Sequence, residues 1–353
     1  MKLPAWTIAV PVIGWALLGG TMLGWSGWYL VAVVAGLVAC VFAGVFHAEV
    51  VACRVGEPFG TLVLAVAITV IEVALIVTLM RAGGPAASAI ARDTVFAAVM
   101  IILNGIVGVC LLLGGMRYRE QEFQLQGTSA ALTTLTAIAV LTMILPNYTT
   151  TSPGPFYSGA QLAFVAVVTL LLYGVFVLVQ TVRHRDYFLP ANVLEGHAEL
   201  PGNRTTVASA VLMAVALAAV VLSAKALAPT VERAVHAVGA PDASVGVIIA
   251  LVVMMPEGFA AVRAARANRL QTSLNLALGS ALASIGLSIP TVATLSLVYG
   301  WTLTLGIDPM ATALLVLSLF ISALSLGTGR TTVMQGAVHL VVFAVYLFTT
   351  IIP

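Results

Sequence analysis

The sequence has very few charged residues: Asp, Glu, Lys and Arg make up 8% of its 353 positions. A soluble domain usually has about a quarter of its residues charged. Hydrophobic residues reach 61% and the mean hydropathy is +1.11, so the chain cannot cover itself with a hydrated surface. A lipid bilayer must therefore be its main solvent. The net charge of +2 is too small, without a basic patch, to indicate nucleic-acid binding.

Cysteines are scarce, and recognisable catalytic motifs are missing from the sequence. Cys40, Cys53 and Cys110 form no CxxC pair and lie in or beside apolar runs, which is typical of small packing residues. No HExxH motif occurs, and no paired Asp, Ser/His or Cys/His set lies at matched depth. These absences argue against a membrane-embedded enzyme. We also expect no cleaved signal peptide, because only Lys2 precedes the first apolar run.

Long apolar runs dominate what remains. A helix needs about 20 apolar residues to cross the hydrocarbon core, and eleven segments qualify, separated by Gly, Pro and charged residues. The predicted spans are 8–25, 28–47, 60–81, 93–115, 127–146, 156–180, 205–227, 243–264, 272–299, 309–325 and 332–351. The sequence therefore predicts an all-α polytopic membrane protein with eleven transmembrane helices, the first two joined by a tight hairpin.

The basic residues are distributed unevenly between the loops. If the N-terminus is cytoplasmic, 11 of the 15 Lys and Arg residues lie on the cytoplasmic side and 4 on the other. Cytoplasmic loops retain such residues. The distribution therefore predicts a cytoplasmic N-terminus and a C-terminus on the opposite side of the membrane.

A polar loop near the middle of the chain divides the spans into six and five. Without the first span, two consecutive groups of five remain, and an odd number of crossings makes the second group run opposite to the first. The predicted domains are an extra N-terminal helix (1–27), a first five-helix repeat (28–182), a cytoplasmic linker (183–204) and a second five-helix repeat (205–353). This is the inverted-repeat plan of many secondary transporters.

The second helix of each predicted repeat carries one glutamate deep in an apolar run. The first reads GTLVLAVAITVIEVALIVTLMR, with Glu72, and the other reads ASVGVIIALVVMMPEGFAAVRA, with Glu257. Each has a glycine near its start, and each is followed by a span that opens on a threonine. Such correspondence would be unexpected if the two halves were unrelated.

Glu72 and Glu257 are the only 2 of the 13 acidic residues that fall well inside a predicted span. An acidic side chain at that depth costs roughly 2.5–3.5 kcal/mol on an insertion scale, so both should face the interior of the bundle. A dry site favours the neutral carboxylic acids, whereas the ionised pair offers oxygen ligands to a hard cation such as Ca²⁺. Competition of protons and a metal ion for one pair of carboxylates indicates antiport. The alternative is that both glutamates are protonated and only join neighbouring helices.

Further oxygen ligands have to come from residues near the two glutamates. Thr69 lies one helical turn before Glu72 on the same face. Pro256 has no N–H, so the carbonyl of Val252 loses its helical partner beside Glu257. The hydroxyl and the freed carbonyl are candidate ligands.

The spans that follow the two glutamates add polar side chains at mid-span. Asn104, Ser280 and Ser284 are candidates to line a cation- and proton-binding site, and Asn275 is a further one. Small and hydroxyl residues at this spacing also allow close helix packing, which is the alternative role. His339, alone on the last span, is expected to be a packing histidine with its hydrogen bonds satisfied.

Several blocks resemble the bacterial Ca²⁺/H⁺ antiporter branch of the calcium/cation antiporter superfamily. They are GEPFGTLVLAVAITVIEVALIVTLM (Gly56–Met80), ARDTVFAAVMIILNGIVGVCLLLGG (Ala91–Gly115), MMPEGFAAVRAARANRLQTSLNLALGSALASIGLSIP (Met254–Pro290) and the loop RHRDYFLP (Arg183–Pro190). The resemblance implies eleven spans in a bacterial inner membrane, two inverted repeats and alternating access. It also implies that the repeat glutamates, Glu72 and Glu257 here, bind the metal cation, with support from polar groups that map onto Asn104, Ser280 and Ser284.

The expected function is export of Ca²⁺, or of Na⁺ or K⁺, in exchange for protons, without a bound cofactor. Branch members are also associated with Na⁺/H⁺ and K⁺/H⁺ exchange. Many relatives place Gly-Asn or a small residue and Pro just before the first glutamate, whereas Thr69, Val70 and Ile71 stand here, and Met254 replaces a smaller polar residue in the second repeat. These departures remove oxygen ligands and favour a monovalent or partly hydrated ion as the alternative. A passive channel is less favoured, because most of each span is apolar.

Overall fold

The structure, a computed structural model, describes residues 3–56, 59–83, 87–189, 201–237, 239, 241 and 243–352. Within them the chain forms eleven helices, each counted once where it continues through a π or 3₁₀ turn. They are α1 (Ala5–Met22), α2 (Tyr29–Val55), α3 (Phe59–Gly83), α4 (Ile90–Tyr118), α5 (Leu125–Tyr148), α6 (Gly159–Arg183), α7 (Asn203–Ala237), α8 (Ala243–Arg266), α9 (Leu270–Tyr299), α10 (Pro309–Ser325) and α11 (Val333–Ile351).

The predicted all-α class and the eleven helices are confirmed. In the described part of the chain, nine helices are long and apolar enough to cross a membrane, and α10 is a shorter apolar helix. The helix ends differ from the predicted ones because hydrogen bonding continues beyond the apolar stretch. For example, the apolar run predicts that α7 ends at 227, whereas the helix continues to Ala237, and α2 continues past the predicted 47 to Val55.

The predicted hairpin between the first two helices is a short turn with two glycines in left-handed conformations. Gly24 has φ = 83° and Gly27 has φ = 67°, values that are costly for residues with a Cβ. Trp25 packs edge-on against Tyr29, with ring centroids 5.0 Å apart. The glycines thus allow the chain to reverse within six residues, between Met22 and Tyr29.

Among the residues that the structure describes, four helices contain a π-helical segment, in which the backbone turn is one residue wider than in an α-helix. The segments are Ile101–Ile106 in α4, Val140–Ile144 in α5, Val179–Arg183 in α6 and Ser284–Ser288 in α9. Such segments are rare and frequently occur at functional sites. Those in α4 and α9 lie mid-helix, in the third helix of each predicted repeat.

The packing divides the chain into two compact units. The first comprises Met1–Ala82 and Leu194–Gly239, with α1, α2, α3 and α7. In this unit Gly44 of α2 faces Ala216 of α7, and Arg54 donates a 2.6 Å hydrogen bond to Asn203. The close contact of α2 with α7 therefore organises the first unit.

The second unit comprises Gly83–Val193 and Ala240–Pro353, with the other seven helices and a two-stranded antiparallel sheet. The sheet joins β1 (Gln121–Glu122) to β2 (Arg330–Thr331). Helices α4 and α8 approach closely, since a Cβ added to Gly246 would lie 2.9 Å from the carbonyl carbon of Asp93. The predicted repeat boundaries stay a prediction, and residues 190–200 of the predicted linker lie outside the described part.

Candidate functional site

The two candidate glutamates are buried in otherwise uncharged helical segments. Glu72 on α3 is 1% exposed and Glu257 on α8 is 8% exposed. Among the acidic residues whose side chains the structure describes, these two alone are buried, and no Lys or Arg in that part of the chain is buried. Glu49 also falls on a helix, because α2 is longer than predicted, but its side chain is exposed. The burial of both carboxylates agrees with the expectation that they face the protein interior, and their role in a transport site stays a prediction.

Around Glu72, α3 runs without a break. Thr69 is 7% exposed, and Ile71 beside the glutamate is 1% exposed, while Val70 points outward at 48%. Thr69 and Glu72 are one turn apart on the buried face, as predicted. Both lie in the first compact unit.

Around Glu257, α8 contains a proline and a glycine but remains a continuous helix from Ala243 to Arg266. Pro256 is buried, and it cannot donate a hydrogen bond to the carbonyl of Val252. A Cβ added to Gly258 would lie 3.2 Å from Cδ1 of Ile106, in the π segment of α4. The residue after the glutamate therefore packs directly on that segment.

Ser280 and Ser284, the predicted polar residues of α9, have different surroundings. The hydroxyl of Ser280 donates to the thioether sulfur of Met254, 3.5 Å away and one turn before Glu257. Ser284 is 3% exposed and begins the π segment of α9. The further candidate Asn275 instead donates to the carbonyl of Phe188 and so holds the segment after α6.

Asn104 lies at the centre of the π segment of α4 and is fully buried. Its Nδ2 is 2.8 Å from Oγ of Ser318, on α10, and its Oδ1 is 3.4 Å from Nδ1 of His339, on α11. The other nitrogen of His339 is 2.8 Å from Oγ of Ser325. The expectation that His339 is satisfied in packing is confirmed, and its partner is a candidate site residue.

Ser318, which contacts Asn104, and Ser325, which contacts His339, are buried polar residues that the sequence did not point to. Together with Ser322 they recur at intervals of four and three residues along α10, and all three are buried. That spacing puts them on one helical face. The periodicity was a usable signal, although it does not say which residues the serines meet.

Polar residues also gather at the N-terminal ends of α4 and α10. Nε of Arg92 is 2.8 Å from Oδ1 of Asp93, and its Nη1 donates to the carbonyl of Gly306 at the same distance. Two cavities of about 890 and 200 Å³ open here, and both are lined by Arg92 and Asp308. Arg92 thus holds the non-helical segment before α10 against the start of α4.

In the described residues, eleven apolar helices with two buried carboxylates and polar π segments are typical of a multi-pass membrane ion transporter. The chain belongs to the sodium/calcium exchanger protein family, whose model matches residues 25–182 and 208–352. Within the calcium/cation antiporter superfamily it falls in the cation/proton exchanger branch and is a cation/proton antiporter rather than an enzyme.

Three relatives illustrate the match. The Sinorhizobium fredii protein y4hA, which its name describes as a candidate ionic transporter, is 48% identical over 99% of this chain and 97% of its own. The sodium-potassium/proton antiporter ChaA of Escherichia coli is 34% identical over 89% of this chain and 86% of its own. A Ca²⁺/H⁺ antiporter of Aphanothece halophytica is 23% identical over 86% of each chain.

Solved structures show the same fold. The crystal structure of the H⁺/Ca²⁺ exchanger CAX superposes with a TM-score of 0.73 at 15% identity, over 97% of this chain and 87% of that one. The structure of native YfkE gives a TM-score of 0.72 at 16% identity, over 98% and 100%. At this level of identity the likeness concerns the fold alone.

Proposed function

We propose that the chain exchanges a metal cation for protons at Glu72 and Glu257, by alternating access. The observation that carries the proposal is that these are the buried acids among the described side chains, in a part of the chain without a buried Lys or Arg. A buried carboxylate is costly to keep as a bare charge, so it is stable when protonated or when it binds a cation. Proton and cation then exclude each other, and this exclusion couples their transport.

The repeat pattern supports joint action of the two glutamates. Each stands in the second helix of a predicted repeat, and the family model matches two stretches, 25–182 and 208–352, with nearly the bounds of those repeats. In inverted-repeat transporters, the substrate site lies near the midplane, where the repeats meet. We therefore assign one glutamate from each repeat to a single site, with Thr69, Asn104, Ser280 and Ser284 as supporting groups.

The polar surroundings favour Na⁺ or K⁺ over Ca²⁺ as the transported ion. Ca²⁺ takes six to eight oxygen ligands. Here the Ser280 hydroxyl is engaged by the sulfur of Met254, and Val70 and Ile71 add no side-chain oxygen beside Glu72. ChaA, at 34% identity, is named a sodium-potassium/proton antiporter, while the relative named a Ca²⁺/H⁺ antiporter is 23% identical. Ca²⁺ remains the alternative ion.

The proton gradient across the membrane sets the direction of transport, and the proposed orientation sets which helix ends face each side. With the N-terminus in the cytoplasm, 11 of 15 basic residues lie inside. Protons then enter from outside down their gradient, neutralise the two glutamates, and leave on the cytoplasmic side. The ionised pair binds a cytoplasmic cation and carries it out on the return step.

Inverted vesicles of the bacterial inner membrane test this proposal. A respiration-driven proton gradient is followed with a pH dye while Na⁺, K⁺ or Ca²⁺ is added separately. We expect wild-type protein to collapse the gradient with Na⁺ or K⁺, and Glu72→Gln or Glu257→Gln to reduce the rate at least about a hundredfold, because an amide neither ionises nor takes up a proton. Glu49→Gln, which changes an exposed acid on α2, is the matched control and should keep wild-type exchange.

Full cation-dependent exchange by either Glu→Gln variant would show that the paired site is wrong. Current without counter-transport in reconstituted bilayers would contradict antiport and indicate a channel. A response to Ca²⁺ with none to Na⁺ or K⁺ would reverse only the ion preference.

A further inference from the structure

The contacts of Asn104 point to a role for a residue of the last helix, His339. We infer that His339 is a positioning residue for cation binding: it fixes the amide of Asn104 and, through it, the π segment of α4 beside Glu257. The inference rests on the proposed function, because it assumes that Asn104 and Glu257 belong to the transport site. His339 itself needs no contact with the transported ion.

The hydrogen bonds around Asn104 can be given one consistent direction. The hydroxyl of Ser318 donates to the carbonyl of Leu314 at 2.7 Å, its shorter option, so it can only accept at the side of Asn104. The NH₂ group of Asn104 must then face Ser318, which turns its carbonyl oxygen toward His339. A flipped amide would place two oxygens together without a hydrogen between them.

The same logic fixes the protonation of His339. The ring of His339 also hydrogen-bonds the backbone of Leu103, the residue before Asn104 in the π segment. Since the carbonyl oxygen of Asn104 only accepts, Nδ1 of His339, which faces it, carries a hydrogen. Nε2 of the neutral ring is then an acceptor, and the hydroxyl of Ser325 donates to it at 2.8 Å. His339 is thus a neutral Nδ1–H imidazole with both nitrogens used, and it is fully buried.

The π segment is held between α11 and α8 by close contacts. A Cβ added to Gly105, inside the segment, would lie 3.3 Å from the ring of Phe343, and one added to Gly108, two residues after the segment ends, would lie 3.0 Å from Cβ of His339. On the other side, Ile106 faces Gly258, the residue after Glu257. Loss of the hydrogen bond between His339 and Asn104 would therefore shift the π segment, and with it the backbone next to Glu257, the proposed cation ligand.

The transport kinetics of His339 variants test the inference. The cation used is whichever of Na⁺, K⁺ and Ca²⁺ the wild-type protein exchanges for protons. His339→Leu should raise the apparent KM for the cation about fivefold, which corresponds to the usual free energy of one hydrogen bond. The maximal rate should stay within about twofold of wild type, since small changes follow any core substitution. His339→Asn places an amide nitrogen where Nδ1 stood and should restore most of the affinity. His339→Gln, whose amide reaches the Nε2 position, should not.

Two controls separate positioning from general damage. His47→Leu removes another fully buried histidine, which contacts the carbonyl of Thr7 in the first unit, and should leave the KM unchanged. The double variant Asn104→Ala/His339→Leu should raise the KM by clearly less than the two single effects combined, because the two residues share one hydrogen bond. If the His339→Leu protein does not insert into the membrane, the KM values of His339→Asn and His339→Gln still test which ring nitrogen matters.

An unchanged KM in His339→Leu, equal KM values for the Asn and Gln variants, or additive effects in the double variant would overturn the inference. These outcomes are distinct from failure of the proposed function. In that case the Glu72→Gln and Glu257→Gln vesicles would continue to exchange ions.

Discussion

Helices α3 and α8 each carry a buried glutamate, but the backbone around that glutamate differs between the two helices. In α3, Glu72 follows Ile71 and precedes Val73, so every nearby backbone N–H can complete its helical bond. In α8, Glu257 stands between Pro256 and Gly258. The proline leaves the carbonyl of Val252 without its helical donor, and glycine loosens the next turn.

This difference indicates that the additional oxygen ligands beside the two carboxylates are of different kinds. Beside Glu257, the carbonyl of Val252 receives no hydrogen bond from Pro256, which makes it our candidate backbone ligand. Gly258 allows the π segment of α4 to approach. Beside Glu72, the nearest additional oxygen is the hydroxyl of Thr69, on the same buried face. We therefore expect substitutions around Glu257 to act through the backbone and those around Glu72 through a side chain.

Of the substitutions that test this difference between α3 and α8, Pro256→Ala should change the apparent KM for the cation most. The new N–H would bind the carbonyl of Val252 and withdraw it from the cation. Contacts to a charged group are worth about 1.5–3 kcal/mol, so the apparent KM should rise about tenfold or more. Thermal stability should not fall, because alanine is a far better helix former than proline.

Pro229→Ala is the control for Pro256→Ala. It also removes a proline from the interior of a helix, α7, at an exposed position whose carbonyl accepts from Arg233. We expect its KM to equal that of wild type. Concentration-dependent pH-dye measurements would contradict the carbonyl ligand if both proline variants behaved alike.

The sequence predicts the helices well because the bilayer imposes a strong rule. About 20 apolar residues are needed for each span, and all eleven predicted spans correspond to helices. The ends are less predictable, since Ala-rich and polar turns such as those after residue 227 continue a helix outside the apolar stretch. The π segments depend on packing between helices and leave no clear periodicity in the sequence.

The candidate site was only partly predictable. Isolated acids in apolar runs are conspicuous, and the burial of Glu72 and Glu257 agrees with that expectation. The partners of Asn104 are more than 200 residues away in the chain, on α10 and α11. A single sequence contains no signal for such contacts, so His339 could be predicted as satisfied but not as a neighbour of Asn104.

Thr69→Val should have a smaller effect than Pro256→Ala, because it removes one neutral ligand without a change of shape. Loss of a contact worth about 1 kcal/mol corresponds to a rise in KM of about fivefold. Thr78→Val is the control, because Thr78 is on the same helix but six residues past Glu72 and is not one of the proposed supporting groups. Equal KM values for the two threonine variants in the vesicle assay would remove Thr69 from the site.

Gly258→Ala should have the smallest effect and separates the two features of α8. The added methyl group would lie 3.2 Å from Cδ1 of Ile106, the end of a flexible side chain that can move by a few tenths of an ångström. Because the freed carbonyl of Val252 is untouched, we expect a KM close to wild type and a maximal rate lowered about twofold by the tighter contact with the π segment. A tenfold rise in KM, as large as that for Pro256→Ala, would instead mean that the approach of α4, and not the carbonyl, distinguishes the surroundings of Glu257 from those of Glu72.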